Sequence, residues 1–113
     1  MSEPSEHITR AWDQTALEAQ VRQKLGTTAS HARTMARVTE AVCAITGLTL
    51  KDLRSPCRHR RIAWARQFCW LMIRQQRPDI SLPAMGRFFH RDHSTIHYGI
   101  REARRRLDGG DDG

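Results

Sequence analysis

Lysine is missing from the whole second half of this 113-residue chain: between residues 54 and 107 thirteen arginines stand against Asp79, Asp92 and Glu102, with no lysine among them. That composition argues against a diffusely attractive lysine surface and for the forked hydrogen bonding with which guanidinium groups grip phosphates and guanine edges. Long apolar runs are also missing. No stretch reaches the roughly 18 apolar residues of a membrane-spanning helix, and the opening MSEPSEHITR has no apolar signal core. The expectation is a cytoplasmic protein with no membrane partner. Cysteine is scarce, and Cys43, Cys57 and Cys69 are odd in number and sit among apolar or basic neighbours, which suits reduced thiols and no disulfide framework. Proline is scarce too, with four residues, while 39% hydrophobic residues, three Trp and three Phe describe a modest folded core. The length suits one compact domain.

Several kinds of chemistry are excluded by missing patterns. The chain has no G-x-x-x-x-G-K-[ST] phosphate loop, so no nucleotide is expected. Cys57, His59, Cys69, His90, His93 and His97 offer nitrogen and sulfur, but no pair has the short C-x2-C spacing of a zinc site, so no metal or other cofactor is expected. No serine or cysteine has a recognisable base and orienting acid around it, so no catalytic residue is assigned and the chain is not read as an enzyme. Trp64 and Phe68 could stack on single strands, but their helical spacing favours the core.

What is present is a charge asymmetry. Residues 1–53 hold six basic and six acidic side chains and are neutral, whereas residues 54–107 carry a net charge of +10, so the total of +7 comes from one half. A polyanionic partner belongs to that half. The pattern along the chain is all-helical. Residues 1–10 read as a flexible leader, and Leu17, Val21 and Leu25 mark an accessory helix with its linker over 11–29. Residues 30–108 read as the main domain and 109–113 as a disordered tail. Ser30 is placed as cap of a helix striped by Met35, Val38, Val42 and Ile45 and stopped by Gly47. Thr49 and Asp52 nucleate a short turn, and Ser55-Pro56 is read as the start of a central helix running to Gln76. Ser81 caps a short helix through about Phe89, His90-Arg91 forms a turn, and Asp92 caps a last helix from His93 to Leu107.

Two helices meeting at a tight turn form a helix-turn-helix, which sets the first turn of its second helix against base edges in the major groove. Here that turn is Asp92, His93, Ser94 and Thr95, all short and polar enough to bond bases or phosphates. A surface helix merely capped by Asp92 would show the same pattern; the arginine-rich half favours DNA. Arg58, Arg60 and Arg61 form a dense basic stretch upstream that could instead be a solvated face, while Arg87 and Arg101 are read as solvated charges.

The run SLPAMGRFFHRDHSTIHYGI resembles the C-terminal DNA-binding domain of the bacterial replication initiator family DnaA, whose pattern is Ser-Leu-Pro-x-x-Gly followed by Arg-Asp-His-Ser/Thr-Thr. Asp52-Leu53, Arg58-His59-Arg60-Arg61 and Ala65-Arg66-Gln67 resemble the same domain, so the likeness covers roughly residues 34–107. It implies a compact helical fold with a helix-turn-helix and sequence-specific binding of double-stranded DNA at DnaA-box-like sites. It also implies that Arg58 enters the minor groove, where narrow A·T-rich tracts attract arginine. Leu82, Pro83, Asp92, His93, Ser94 and Thr95, with Arg91 in the same motif, take the major-groove side. Arg66, Gln67 and Arg74 would hold phosphates, fixing register without reading sequence. One departure stands out: the family usually has small glycines before Arg91, where this chain has Phe89 and His90.

The function expected from this reading is initiation or regulation of DNA replication by a DnaA-like domain without its ATPase module, located with the nucleoid in the cytoplasm. A transcription regulator at similar sites is the alternative within DNA binding. An interaction protein using residues 11–46 to dock on a replication initiator or helicase loader is the alternative outside it.

Overall fold

The computed structural model describes residues 13–26 and 33–108, and within them every regular element is a helix. In chain order these are α1 (Gln14–Leu25), α2 (Met35–Thr46), α3 (Leu50–Arg54), α4 (Arg60–Gln76), α5 (Leu82–Phe89) and α6 (His93–Leu107). The expected leader, the linker with Ser30 and the glycine-aspartate tail lie outside the described residues. The helix placed after Ser30 begins at Met35, where Thr34 supplies the cap by accepting from the Arg37 N–H. Asp13 caps α1 in the same way through the Ala16 N–H. Thr49 and Asp52 form the reciprocal capping box expected of them, which makes the single turn of α3 possible.

A second helix start differs from expectation. Ser55 does not open the central helix: it ends α3, donating its N–H to the Asp52 carbonyl, and Pro56 lies outside any helix. α4 begins at Arg60 instead, with the His59 imidazole accepting from the Arg61 N–H. The reason lies across the structure, because the carbonyls of Ser55 and Cys57 accept from the Arg66 guanidinium and Ser55 also accepts from Arg91. Backbone acceptors held by side chains in this way satisfy their hydrogen-bonding need outside any helix.

α4 forms the centre of the molecule, packed against α6, α2 and α3. It buries Ala65, Phe68, Cys69, Trp70, Leu71, Met72 and Ile73; α1 and α2 add Val21, Leu25, Val38 and Val42, and α5 and α6 add Met85, Phe89, Ile96 and Ile100. Trp70 is among the largest fully buried side chains and meets Phe89 edge-on at 6.0 Å. Its place depends on Gly99, since a Cβ there would lie 2.5 Å from the indole ring. α1 is docked on this body: buried Gln14 donates to the Ala103 carbonyl at 2.6 Å and Arg22 reaches Gln75 at 2.8 Å.

Candidate nucleic-acid interface

α5 and α6 are joined by a turn whose geometry is fixed at three points. Ser81 accepts from the Ala84 N–H and opens α5, with Pro83 in the first turn where a missing N–H does no harm. His90 closes α5 in the left-handed region at φ 61°, the conformation that favours glycine. The departure from the family's glycines is thus accommodated by a histidine, one of the few side chains that enters this region with some frequency. The Arg91 N–H then bonds the Gly86 carbonyl at 2.8 Å, and a Cβ on Gly86 would come within 2.3 Å of the Arg91 carbonyl oxygen. Glycine at this position lets the turn fold flat against α5.

Asp92 starts α6 by accepting from the Thr95 N–H at 2.9 Å. Hydrogen bonds from Thr95 hold its carboxyl below the usual carboxylate range. The cap is therefore charged throughout the neutral range and is lost only as the pH falls through that lowered value. His93, Ser94 and Thr95 are exposed beside it, as is Pro83, with Leu82 half-buried behind. These exposed side chains stand at the positive end of the α6 dipole, which attracts anions. In the 55–59 stretch Arg58 is exposed, followed by exposed Arg60 and half-buried Arg61. Arg60 lies over one side of the Trp64 ring at 5.6 Å, and Arg106 stacks on the same ring at 4.8 Å.

Other arginines expected at the surface are turned inward. Arg66 is 9% exposed; its Nε donates to the Leu53 carbonyl at 3.1 Å and its Nη2 to Ser55 and Cys57 at 2.9 and 2.8 Å. Burial and the neighbouring Arg91 charge lower its pKa, yet a guanidinium stays protonated. Arg91 reaches the carbonyls of Arg54 and Ser55, tying the turn to the end of α3. Arg54 completes the tie by donating to the Phe88 carbonyl at 2.7 Å and lying over the Phe88 ring. The phosphate and groove roles expected for Arg66 and Arg91 thus meet side chains committed to backbone carbonyls. Gln67 accepts from Arg106 at 2.9 Å, and Arg74 donates to the carbonyls of Pro78 and Ile80 across the bend before α5.

The sequence reading passed over Tyr98, which is 60% exposed on α6. Its signal was available: an aromatic at a position whose helical phase matches polar Ser94 instead of buried Ile96. The thiols are quiet by comparison. Burial pushes Cys69 up to about 12, and burial with Asp52 and Glu40 nearby raises Cys43. Among the described residues no three His, Cys, Asp or Glu side chains converge as metal ligands, and no helix is long and apolar enough to cross a membrane.

Comparison with known proteins picks out this same region. The family model for the bacterial DnaA protein helix-turn-helix matches residues 35–102, more than half of the chain. The chain is 39% identical over 56 residues to the chromosomal replication initiator protein DnaA of Mycobacteroides abscessus, covering 50% of this chain and 11% of that protein. It is 38% identical over 64 residues to DnaA of Gloeobacter violaceus, covering 56% and 14%, and 41% identical over 54 residues to DnaA of a Picosynechococcus species, covering 47% and 12%. The chain thus spans a small part of each relative. No solved structure matches it. On the family match, which covers α2 to most of α6, the chain belongs to the bacterial DnaA helix-turn-helix family.

Proposed function

We propose that this protein binds double-stranded DNA sequence-specifically at sites resembling DnaA boxes, and that it acts in the initiation or regulation of DNA replication within the nucleoid. The observation that carries this reading is the exposed, Asp92-capped first turn of α6, with His93, Ser94 and Thr95 facing solvent inside the segment that the family model matches. In this reading these side chains meet base edges, Leu82 and Pro83 line the groove wall, and Arg58 enters the adjacent minor groove. Arg60 and Arg61 meet phosphates, while Arg66 and Arg91 act as positioning residues that hold the Arg58 stretch against the turn. Gln67 and Arg74, expected to hold phosphates, are each already engaged within the fold.

The alternative of docking on another protein through residues 11–46 finds less support, because Val21, Leu25, Val38 and Val42 of that region are fully or nearly buried in this chain's own core. Control of transcription at similar sites would use the same surface and differs in genomic location.

The test is fluorescence anisotropy of a DnaA-box duplex and a scrambled duplex over a salt series. A preference of about 10³ or more for the box is expected, with affinity for both falling as salt rises because phosphate contacts release counterions. His93→Ala lowers affinity for the box by about 1–3 kcal/mol and narrows the preference. Equal binding of the two duplexes by the unmodified protein would contradict box recognition, and binding to neither would contradict duplex binding altogether.

A further inference from the structure

Tyr98 stands apart from every other large apolar side chain of the described residues: all the rest are buried or half-buried, and it is 60% exposed. It does not lie at a helix end or in a loop but in the middle of α6, the helix whose first turn carries the proposed base contacts. α6 buries Ile96, Gly99, Ile100 and Ala103, which fixes the direction of its core face and of the opposite, outward face. At 100° per residue Ser94 and Tyr98 point within about 40° of each other, with Tyr98 about 6 Å farther along the axis. Arg101, also exposed, continues the same face one turn later. A helix laid in the major groove by its first turn therefore carries this ring on toward the next base pairs and carries Arg101 toward the backbone.

We infer that Tyr98 is a further specificity-determining residue of the duplex site, its ring resting on the C5-methyl group of a thymine in the major groove. This rests on the duplex-binding reading above and names a contact that reading does not contain. The chemistry is that of the side chain: an aromatic body gains by leaving water, and its polar tip can remain solvated at the groove edge. The major groove offers one apolar feature to such a ring, the thymine methyl. Asp92, His93 and Ser94 are polar, and beside the Thr95 methyl and the Leu82 and Pro83 side chains the ring extends apolar discrimination about one turn farther along α6.

The experiment uses the full chain and a DnaA-box duplex in which each thymine in turn is replaced by deoxyuridine, which removes the methyl alone. With the unmodified protein, one replacement lowers affinity about fourfold, the worth of one buried methyl. Tyr98→Ala, checked for unchanged helicity, binds the unmodified box at least fourfold more weakly and no longer senses that replacement. Its affinity for a scrambled duplex is unchanged, and Tyr98→Phe keeps the thymine preference. Equal weakening on box and scrambled duplexes would make Tyr98 a backbone contact and overturn the inference. So would unaltered affinity, or a Tyr98→Ala protein still sensitive to the same deoxyuridine. If the unmodified protein shows no preference for the box, the duplex-site reading itself has failed and this inference falls with it. A preserved box preference with an inert Tyr98 sinks the inference alone.

Discussion

Arg66 and Arg58 belong to one basic segment and face opposite ways. Arg66 is buried and holds three backbone carbonyls of the chain that runs from α3 to α4; Arg58, in that same run of chain, is exposed. The pairing repeats around the turn, where Arg91 ties Arg54 and Ser55 together while the neighbouring His93 and Ser94 are left in solvent. Arg66, Arg91 and Arg58 carry the same side chain and the same charge, so charge alone assigns neither role. The difference lies in the acceptors: a guanidinium with five donors in a fixed fork suits a non-helical stretch with several carbonyls to satisfy, and equally suits a phosphate. The inward arginines shape a surface that the outward ones would use.

The largest effect expected from breaking this comparison belongs to the inward set. Arg66→Ala removes the side-chain donor of the Leu53 and Cys57 carbonyls, leaves Ser55 with Arg91 alone and empties buried space, and should lower unfolding free energy by about 3 kcal/mol in chemical denaturation. Arg66→Lys should recover little of it, because an ammonium lacks the fork; normal stability with lost DNA binding would return Arg66 to the surface role. Next comes the packing that seats α6. Gly99→Ala pushes a methyl into the Trp70 ring and should cost about 1–3 kcal/mol, read as a lowered Tm, with a shift of indole fluorescence. Arg58→Ala sharpens the comparison from the outward side: stability stays within about 0.5 kcal/mol, while duplex affinity falls and the salt dependence shallows by about one phosphate contact. Smallest is His90→Gly, which relieves a left-handed histidine and should raise stability by under about 1 kcal/mol. A loss of stability there would mean that the imidazole makes a contact worth more than the strain.

Much of the fold was legible because its signals are local. The Thr49–Asp52 box, Ser81 and Asp92 as caps, and Gly47 as a stop are decided within a few residues, and the structure has all of them. The failures are tertiary. Ser55-Pro56 carries a sound helix-start pattern, yet carbonyls held by Arg66 and Arg91 keep that stretch out of the helix as far as His59. Trp70 was not singled out in the sequence, and its place in the core rests on the space opened by Gly99 on another helix. For the site, the motif located the α5–α6 turn and its exposed first turn, but which arginines face outward could not be read from spacing, since that depends on where distant carbonyls lie. Tyr98 was legible in principle from helical phase.

The central claim is that one face, formed by the Arg58 stretch and the first turns of α5 and α6, meets duplex DNA. Amide chemical-shift mapping of the labelled full chain with a DnaA-box duplex tests it most directly. The account predicts shifts concentrated at residues 58–61, 82–83 and 92–98, with α1 and α2 little affected. Shifts centred on α1 and α2, or spread evenly over every exposed arginine, would contradict it.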